Sequence, residues 1–467
     1  MRPRAEGGDA EPRAAFVSAA PLLTKDDVER FCRQMLVEEI GAAHMESIRR
    51  THVVCVGAGG LGSTILLYLA AAGVGRLTVV DFDDVEVSNL HRQVIHASAA
   101  VGRPKAVSAR ESCLRLCPTA HIDAAVEALC PANAERLCAA ADVVVDGTDN
   151  VAARYLINDA AMRCGKPLIS GSAMGWDGQL SVYGYRGGPC YRCLFPQPPP
   201  PETVGSCNDS GVMGPLPGMI GCLQALEVLK VATGVGETLS GRLFLFNGLR
   251  FTSRIVQLRA RQPHCAACGA AARMDTTALA DLAASTRPEY VASSCSVSPA
   301  ARLGAGAVCS AVEFASARCA ADHHRSVTLD VRMRPQYDMA HLPDSVNVPY
   351  RTLQQWRRAG TLMAQLADAL EKALPPTSDC APDGATATAA TPTATVVYVV
   401  CRRGINSVHA VALIHAALQE AVAAAETPDD AVAVTTAAAR LRRHTFRSVT
   451  GGLNAYHREA EPAFPYY

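Results

Sequence analysis

The chain lacks net charge: 44 lysines and arginines balance 44 aspartates and glutamates over 467 residues. That removes the electrostatic case for nucleic-acid binding or for attachment to an anionic membrane surface. It also lacks an unbroken apolar run of the roughly eighteen residues a membrane-crossing helix needs, so no span is expected. Residues 1–20 mix acids with arginines and hold no apolar stretch, which argues against a secretory signal or a transit peptide. No internal repeat is visible, which sets aside repeat architectures. Cysteine, by contrast, is plentiful, with 18 in the chain. Without a signal peptide these point to a reducing compartment, the cytosol, where they act as metal ligands, nucleophiles or core residues. The length calls for two or three domains.

Four of the cysteines form two matched pairs, Cys190-x-x-Cys193 and Cys265-x-x-Cys268. Two such knuckles supply the four thiolates of a closed tetrahedral zinc site. The wide gap between the pairs makes this a clamp across a domain, not a small finger. Cys207 lies between the pairs with no cysteine at short spacing, which marks it for chemistry. It sits in Ser206-Cys207-Asn208-Asp209-Ser210-Gly211, whose small residues suggest an accessible loop and a reactive thiolate. A passive loop cysteine is the alternative. Cys55, inside an apolar strand-like run, reads as core filler.

Residues 1–24 are polar, with scattered Gly, Pro and Ala, and are expected to be disordered. One helix is expected over Lys25 to Arg49, strands at His52 to Val56 and Leu77 to Val80, and a helix from about Ser63 to Ala72. Further strands are expected at Val143 to Val145, Leu168 to Ser170 and Phe244 to Phe246, and a helix over Met219 to Val231. Leu180 to Tyr185 alternates with period two and reads as antiparallel. Strands alternating with helices at this spacing give an α/β fold, a doubly wound parallel sheet over 25–270. Residues 271–305 read as a linker. A second, smaller α/β unit is expected over 306–467, with strands Val327 to Asp330 and Thr395 to Val400, a helix from Ser407, and a low-complexity surface insertion at 376–395.

The run Gly57-Ala58-Gly59-Gly60-Leu61-Gly62 follows a strand and opens a helix, so its backbone can approach a phosphate. Asp81 ends the next strand, about twenty residues on, where a carboxylate binds ribose hydroxyls. Alone, this favours NAD. The donor-rich run Ser88-Asn89-Leu90-His91-Arg92-Gln93 and Lys105 change the reading, because cations beside a phosphate loop suit nucleotidyl transfer from a triphosphate. Asp149 and Asn150 follow the strand at Val143 at its carboxyl end, where open α/β sheets bind ligands and a carboxylate can hold Mg²⁺.

These pieces, with Arg30-x-x-Arg33-Gln34 and the four cysteines, make Glu29 to Lys230 resemble the MoeB/ThiF superfamily, relatives of the ubiquitin-activating enzymes. The resemblance implies that ATP with Mg²⁺ binds at Gly60, Asp81, Ser88, Asn89, Leu90, His91, Arg92, Lys105, Asp149 and Asn150. It implies a homodimer in which Arg33 reaches the other subunit's active site. The implied reaction is adenylation of the C-terminal glycine of a ubiquitin-like protein, with Cys207 as conjugating or resolving cysteine on a crossover loop.

Cys401 ends an apolar strand and opens the turn Cys401-Arg402-Arg403-Gly404-Ile405-Asn406-Ser407 ahead of a helix. Unpaired N–H groups, the helix dipole and two arginines favour an anionic sulfur there. The turn resembles a rhodanese persulfide loop, Cys401 to Asn406. Leu329-Asp330-Val331-Arg332, Tyr337, His341 to Pro349 and Gly451-Gly452-Leu453 match the signatures around it, with His341 structural. Ile405-Asn406 stands where relatives commonly carry Asn-Asp, which puts the choice of sulfur donor in question. The two modules together resemble the eukaryotic adenylyltransferase–sulfurtransferase fusions. That resemblance implies a ubiquitin-like sulfur carrier as partner, a cysteine desulfurase or other persulfide donor, and a thiocarboxylate product used in tRNA thiolation or molybdopterin synthesis. The rival readings are a non-catalytic scaffold for a ubiquitin-like protein and an NAD-dependent dehydrogenase.

Overall fold

A computed structural model of the chain describes residues 23–199, 211–269, 303, 305–319, 326–373, 395–424 and 431–465. Cys207, nearly all of the expected linker and the expected 376–395 insertion lie outside the described residues, except that Thr395 already belongs to a strand. The chain divides into two compact units, Met1–Cys295 and Ser296–Tyr467.

The first unit opens with α1 (Lys25–Met35) and α2 (Gly41–Arg50), not one continuous helix. The break falls at 36–40, before Gly41, whose φ of 54° interrupts the helix. Thr24 caps α1 in a reciprocal box with Asp27. The chain continues through β1 (His52–Val56), α3 (Gly60–Ala71), β2 (Arg76–Val80), α4 (Lys105–Leu116), β3 (His121–Ala125), α5 (Pro131–Ala139), β4 (Val143–Asp146) and α6 (Val151–Arg163). It then runs through β5 (Leu168–Met174), β6 (Asp177–Tyr183), α7 (Pro215–Thr233), β7 (Arg242–Asn247) and β8 (Thr252–Gln257). The sheet order is β3-β2-β1-β4-β5-β6-β7-β8. The first five strands are parallel, and β6, β7 and β8 are antiparallel.

The inner parallel strands are covered on both faces, so they read as continuous apolar runs such as His52-Val53-Val54-Cys55-Val56. Cys55 is fully buried, as expected for core filler. Helix α3 is apolar nearly all round because it packs on both the sheet and α7. Helix α7 is long and apolar enough to cross a membrane by length and composition, and its Leu216, Ile220, Ala225 and Val228 are buried in the core. Strands β3 and β8 escaped the sequence reading. β3 lies at the sheet edge, half-covered, with polar residues in its run, and every residue of β8 is exposed.

The second unit contains β9 (Val308–Cys309), α8 (Ala311–Cys319), β10 (Ser326–Asp330), α9 (Arg334–Met339), β11 (Ser345–Asn347), α10 (Tyr350–Arg358) and α11 (Leu362–Glu371). These lead to β12 (Thr395–Val400), α12 (Ile405–Ala424), α13 (Ala431–Arg442), β13 (His444–Val449) and α14 (Gly452–Glu459). All five strands are parallel, in the order β11-β10-β12-β13-β9. The central strand, β12, is the most apolar, with Val397 to Val400 buried. Helix α12 begins at Ile405, two residues before the expected Ser407, so it opens almost directly on Cys401.

Candidate functional site

In the first unit the glycine turn after β1 is closed by contacts only glycine permits. Gly57 takes φ 97°, and a Cβ there would stand 2.8 Å from the Gly147 carbonyl oxygen. A Cβ on Gly62 would collide with the Gly57 carbonyl, so the first turn of α3 packs directly on the loop. Asp81, at the end of β2, accepts from the Ala58 N–H at 2.8 Å and from the Asp83 N–H at 2.9 Å. Burial pushes its carboxyl up, against the pull of those N–H groups and Lys105. The loop is held from behind by His96, which the sequence reading missed. Its Nε2 donates to the Ala58 carbonyl at 2.9 Å and its Nδ1 accepts from the Ser108 hydroxyl at 2.9 Å.

The run after β2 folds back over this loop. Arg92 donates to the Asn89 Oδ1 at 2.8 Å and to the Ser88 carbonyl at 3.4 Å, and its Nη1 meets His91 Nε2 at 2.8 Å. A Cβ on Gly60 would touch the Arg92 stem at 3.5 Å, so the loop and this cation adjoin. Leu90 is half-buried beside them. Lys105 is buried along its length and pairs with Asp83 Oδ2 at 2.8 Å. Asp149 is exposed in the turn after β4, and Asn150 caps α6 by accepting from the Ala153 N–H at 2.7 Å. Gly147 of that turn packs on Gly57, so both turns meet at the carboxyl edge of adjacent strands β1 and β4. Arg33 is exposed on α1 and has no hydrogen bond or ion pair among the described residues.

Asp146 was also missed. It is fully buried and accepts from the Thr148 N–H and hydroxyl, the Arg154 guanidinium and the Ser170 hydroxyl at 2.7–3.0 Å. This network fixes the turn that presents Asp149. An aspartate closing the otherwise apolar Val143-Val144-Val145-Asp146 was the available signal.

The two cysteine knuckles come together, all four side chains buried, with every Sγ within 4.8 Å of the others. Three sulfur pairs lie at 3.4–3.8 Å: Cys190–Cys193, Cys190–Cys265 and Cys193–Cys268. A tetrahedral tetrathiolate with zinc–sulfur bonds of about 2.3 Å has sulfur–sulfur edges of about 3.8 Å, so the donor set fits that ion. The Gln262 N–H donates to Cys193 Sγ at 3.3 Å, the kind of partner an anionic sulfur wants. Hydrogen bonds from Cys190 and Cys268 hold the Cys265 thiol low. The first knuckle is fastened to α6: Arg192 pairs with Asp159, Tyr191 N–H donates to Asn158 Oδ1 at 2.8 Å, and Tyr155 OH donates to the Phe195 carbonyl at 2.9 Å.

In the second unit Cys401 follows β12 and is 3% exposed. Its Sγ accepts from the Gly404 N–H at 3.1 Å and the Ser407 N–H at 3.4 Å. Gly404 takes φ 81°, which curls the turn around the sulfur, and a Cβ there would press on Gly451 N at 2.7 Å. From the other side the Leu453 and Asn454 N–H groups donate to the Cys401 and Arg402 carbonyls at 2.8 and 3.0 Å. Arg403 and Ile405 are exposed on the rim, with Arg402 and Asn406 half-buried. His341 stacks on Tyr337 and its Nδ1 donates to the Tyr337 carbonyl, a structural placement.

The signature of the ThiF family matches residues 31–267. Relatives match well beyond that region. The "Adenylyltransferase and sulfurtransferase MOCS3" of Arabidopsis thaliana is 38% identical over 95% of this chain and 86% of its own length. The protein of the same name from Sus scrofa is 39% identical over 95% of this chain and 89% of its own, and that from Bos taurus 38% over 98% and 92%. With its glycine loop, its Arg92 and Lys105 cations and three of its four clustered cysteines inside the matched region, and Cys268 one residue beyond it, the chain belongs to the ThiF family.

Proposed function

We propose that this chain is an adenylyltransferase and sulfurtransferase that converts the C-terminal glycine of a ubiquitin-like sulfur carrier into a thiocarboxylate. One observation carries the reading. The same chain presents two different reactive edges: a phosphate-type glycine loop flanked by Arg92 and Lys105, and a cysteine ringed by backbone N–H groups. The full-length likeness to proteins named for both activities supports it.

In the first half-reaction the carrier's carboxylate oxygen attacks the α-phosphorus of ATP, forming an acyl-adenylate and releasing pyrophosphate. The glycine loop's N–H groups and the N-terminus of α3 receive the phosphates, Asp81 the ribose, and Arg92 and Lys105 the charge that develops on the leaving group. Asp149 is the carboxylate placed to hold Mg²⁺, which supplies further charge neutralisation when bound. Zinc at Cys190, Cys193, Cys265 and Cys268 holds the fold and takes no part in the chemistry.

In the second half-reaction a persulfide on Cys401, loaded by a cysteine desulfurase or similar donor, attacks the acyl carbon and AMP leaves. A second thiol then attacks the acyl-disulfide, releasing the thiocarboxylate and leaving a protein disulfide for cellular reductants. Cys207 is the thiol proposed for that step. The chain is proposed to work in the cytosol as a homodimer to which Arg33 contributes across the interface, and to feed tRNA thiolation or molybdopterin synthesis.

The test is mass spectrometry of candidate carriers after incubation with the protein, ATP and a sulfur donor. Replacement of one terminal oxygen by sulfur is the expected result. A carrier that reaches the adenylate but never gains sulfur would overturn the second half alone. Absence of pyrophosphate exchange with any carrier would overturn the first.

A further inference from the structure

Behind Cys401 lies a pair of serines that the reaction as described does not use. Ser407 and Ser448 are both completely buried. Their hydroxyl oxygens are 2.9 Å apart, and the Ser407 oxygen is 3.5 Å from Cys401 Sγ. Ser407 belongs to the first turn of α12, but Ser448 comes from β13, 41 residues further along the chain. The Ser448 backbone is pinned between Val399 of β12 and Val308 of β9, and its carbonyl receives the Cys309 thiol. The pleat therefore sets the direction of its side chain. No other hydroxyl partner of Ser448 exists among the described residues.

The direction of hydrogen bonding along Ser448, Ser407 and Cys401 follows from the charge on sulfur. A neutral thiol donates to the Ser407 oxygen, which also accepts from the Ser448 hydroxyl. An anionic sulfur can no longer donate: Ser448 keeps donating to Ser407, and the Ser407 hydrogen turns to sulfur. With the Gly404 and Ser407 N–H groups this gives the anion a third donor, in a dry setting where such bonds are strong. Without the Ser448 hydroxyl, nothing orients Ser407, and its hydroxyl is free to turn to a carbonyl in the preceding turn instead.

We propose that Ser448 is a positioning residue for the sulfur chemistry, aligning the Ser407 hydroxyl so that it donates to the anionic sulfur carried on Cys401. This rests on the sulfurtransferase reading for the identity of that anion, but the hydroxyl chain itself does not. Ser448 is legible only in the fold, since nothing in its sequence context marks it.

The test uses full-length protein and follows Cys401 alone by peptide-resolved mass spectrometry. Its rate of alkylation by iodoacetamide is measured across pH in wild type, Ser448→Ala, Ser448→Thr, Ser407→Ala and the Ser407→Ala/Ser448→Ala double variant. Circular dichroism confirms that each is folded. In Ser448→Ala the profile is expected to move to higher pH, with alkylation near neutral pH slower by roughly threefold to tenfold. Ser448→Thr keeps the hydroxyl and restores the rate, and if its extra methyl unfolds the site, the double variant decides. There Ser448→Ala adds nothing to Ser407→Ala, because its effect passes through that residue. An unchanged profile in folded Ser448→Ala, or an additive loss in the double variant, overturns the proposal. A wild-type Cys401 that takes up no sulfur from a donor sinks the sulfurtransferase reading instead, and the alkylation profiles still decide on Ser448.

Discussion

Arg192 and Asp159 form a two-pronged ion pair, with both bonds at 2.6 Å and each side chain 2% exposed. Arg192 lies within the first cysteine knuckle and Asp159 on α6, the helix that Asn150 caps next to Asp149. The pair thus joins the thiolate cluster to the element that begins at the nucleotide edge. Burial pushes the Asp159 carboxyl up even with Arg192 beside it, so desolvation outweighs attraction in this pair. Removing one partner strands a buried charge. Asp159→Asn or Arg192→Met is therefore expected to cost about 3–5 kcal/mol, and Asp159→Leu with Arg192→Met together less than either alone. Chemical denaturation of the four proteins checks this, and a double variant as unstable as the singles would refute it.

The cysteine cluster makes a prediction about metal. Wild-type protein purified without chelator is expected to hold one zinc per chain, and Cys265→Ser to lose it. A loss of only about 3 kcal/mol would lower the melting midpoint of a unit this size by roughly 6–12 °C. Elemental analysis beside calorimetry reads both. A metal-free wild type whose melting is indifferent to Cys265→Ser would leave four buried thiols without a role.

Lys105 separates activity from stability. Its partner Asp83 is 51% exposed at the side chain, so removing the amine leaves a carboxylate that water can solvate. Lys105→Met is expected to keep the apolar stem and cost less than about 1 kcal/mol. Pyrophosphate exchange is expected to fall by about a hundredfold or more, because a charge aimed at the leaving group is gone. A variant that exchanges normally would remove Lys105 from the nucleotide machinery.

The parts of this molecule legible in the sequence are those where backbone chemistry demands particular residues. Gly57 and Gly62 are required by a positive φ and a close approach, and the paired cysteines by their ligand geometry. Strands buried on both faces announced themselves as apolar runs. The edge strands β3 and β8 did not, because one is half-covered and the other wholly exposed. His96 and Ser448 were invisible for a different reason. Each acts through a partner distant in sequence, and a buried polar residue carries no pattern until the fold supplies that partner. The helix break at 36–40 went unread because the polar and apolar periodicity continues across it.

His96 gives the first unit a sensitivity to mild acid. Both ring nitrogens are engaged, Nε2 donating to the Ala58 carbonyl and Nδ1 accepting from Ser108, so the neutral ring is the one that fits. Burial lowers its pKa, with nearby Lys105 acting in the same direction and the Ala58 hydrogen bond opposing. A histidine whose folded pKa lies below its unfolded value of about 6.5 binds fewer protons folded than unfolded. Stability then rises with pH through the window ending near 6.5, and is lost as pH falls through it. His52 is lowered by burial too and contributes with the same sign. The midpoint of denaturation is therefore expected to fall as pH drops below about 6.5, before most carboxylates titrate. His96→Gln is expected to be less stable at pH 8 but to show a shallower slope between pH 5.5 and 6.5, since one of the groups that must stay neutral is gone. Denaturant midpoints of both proteins at those three pH values, about one proton-linkage window apart, test this. Equal slopes in the two proteins would show that His96 is not among the groups driving the acid response.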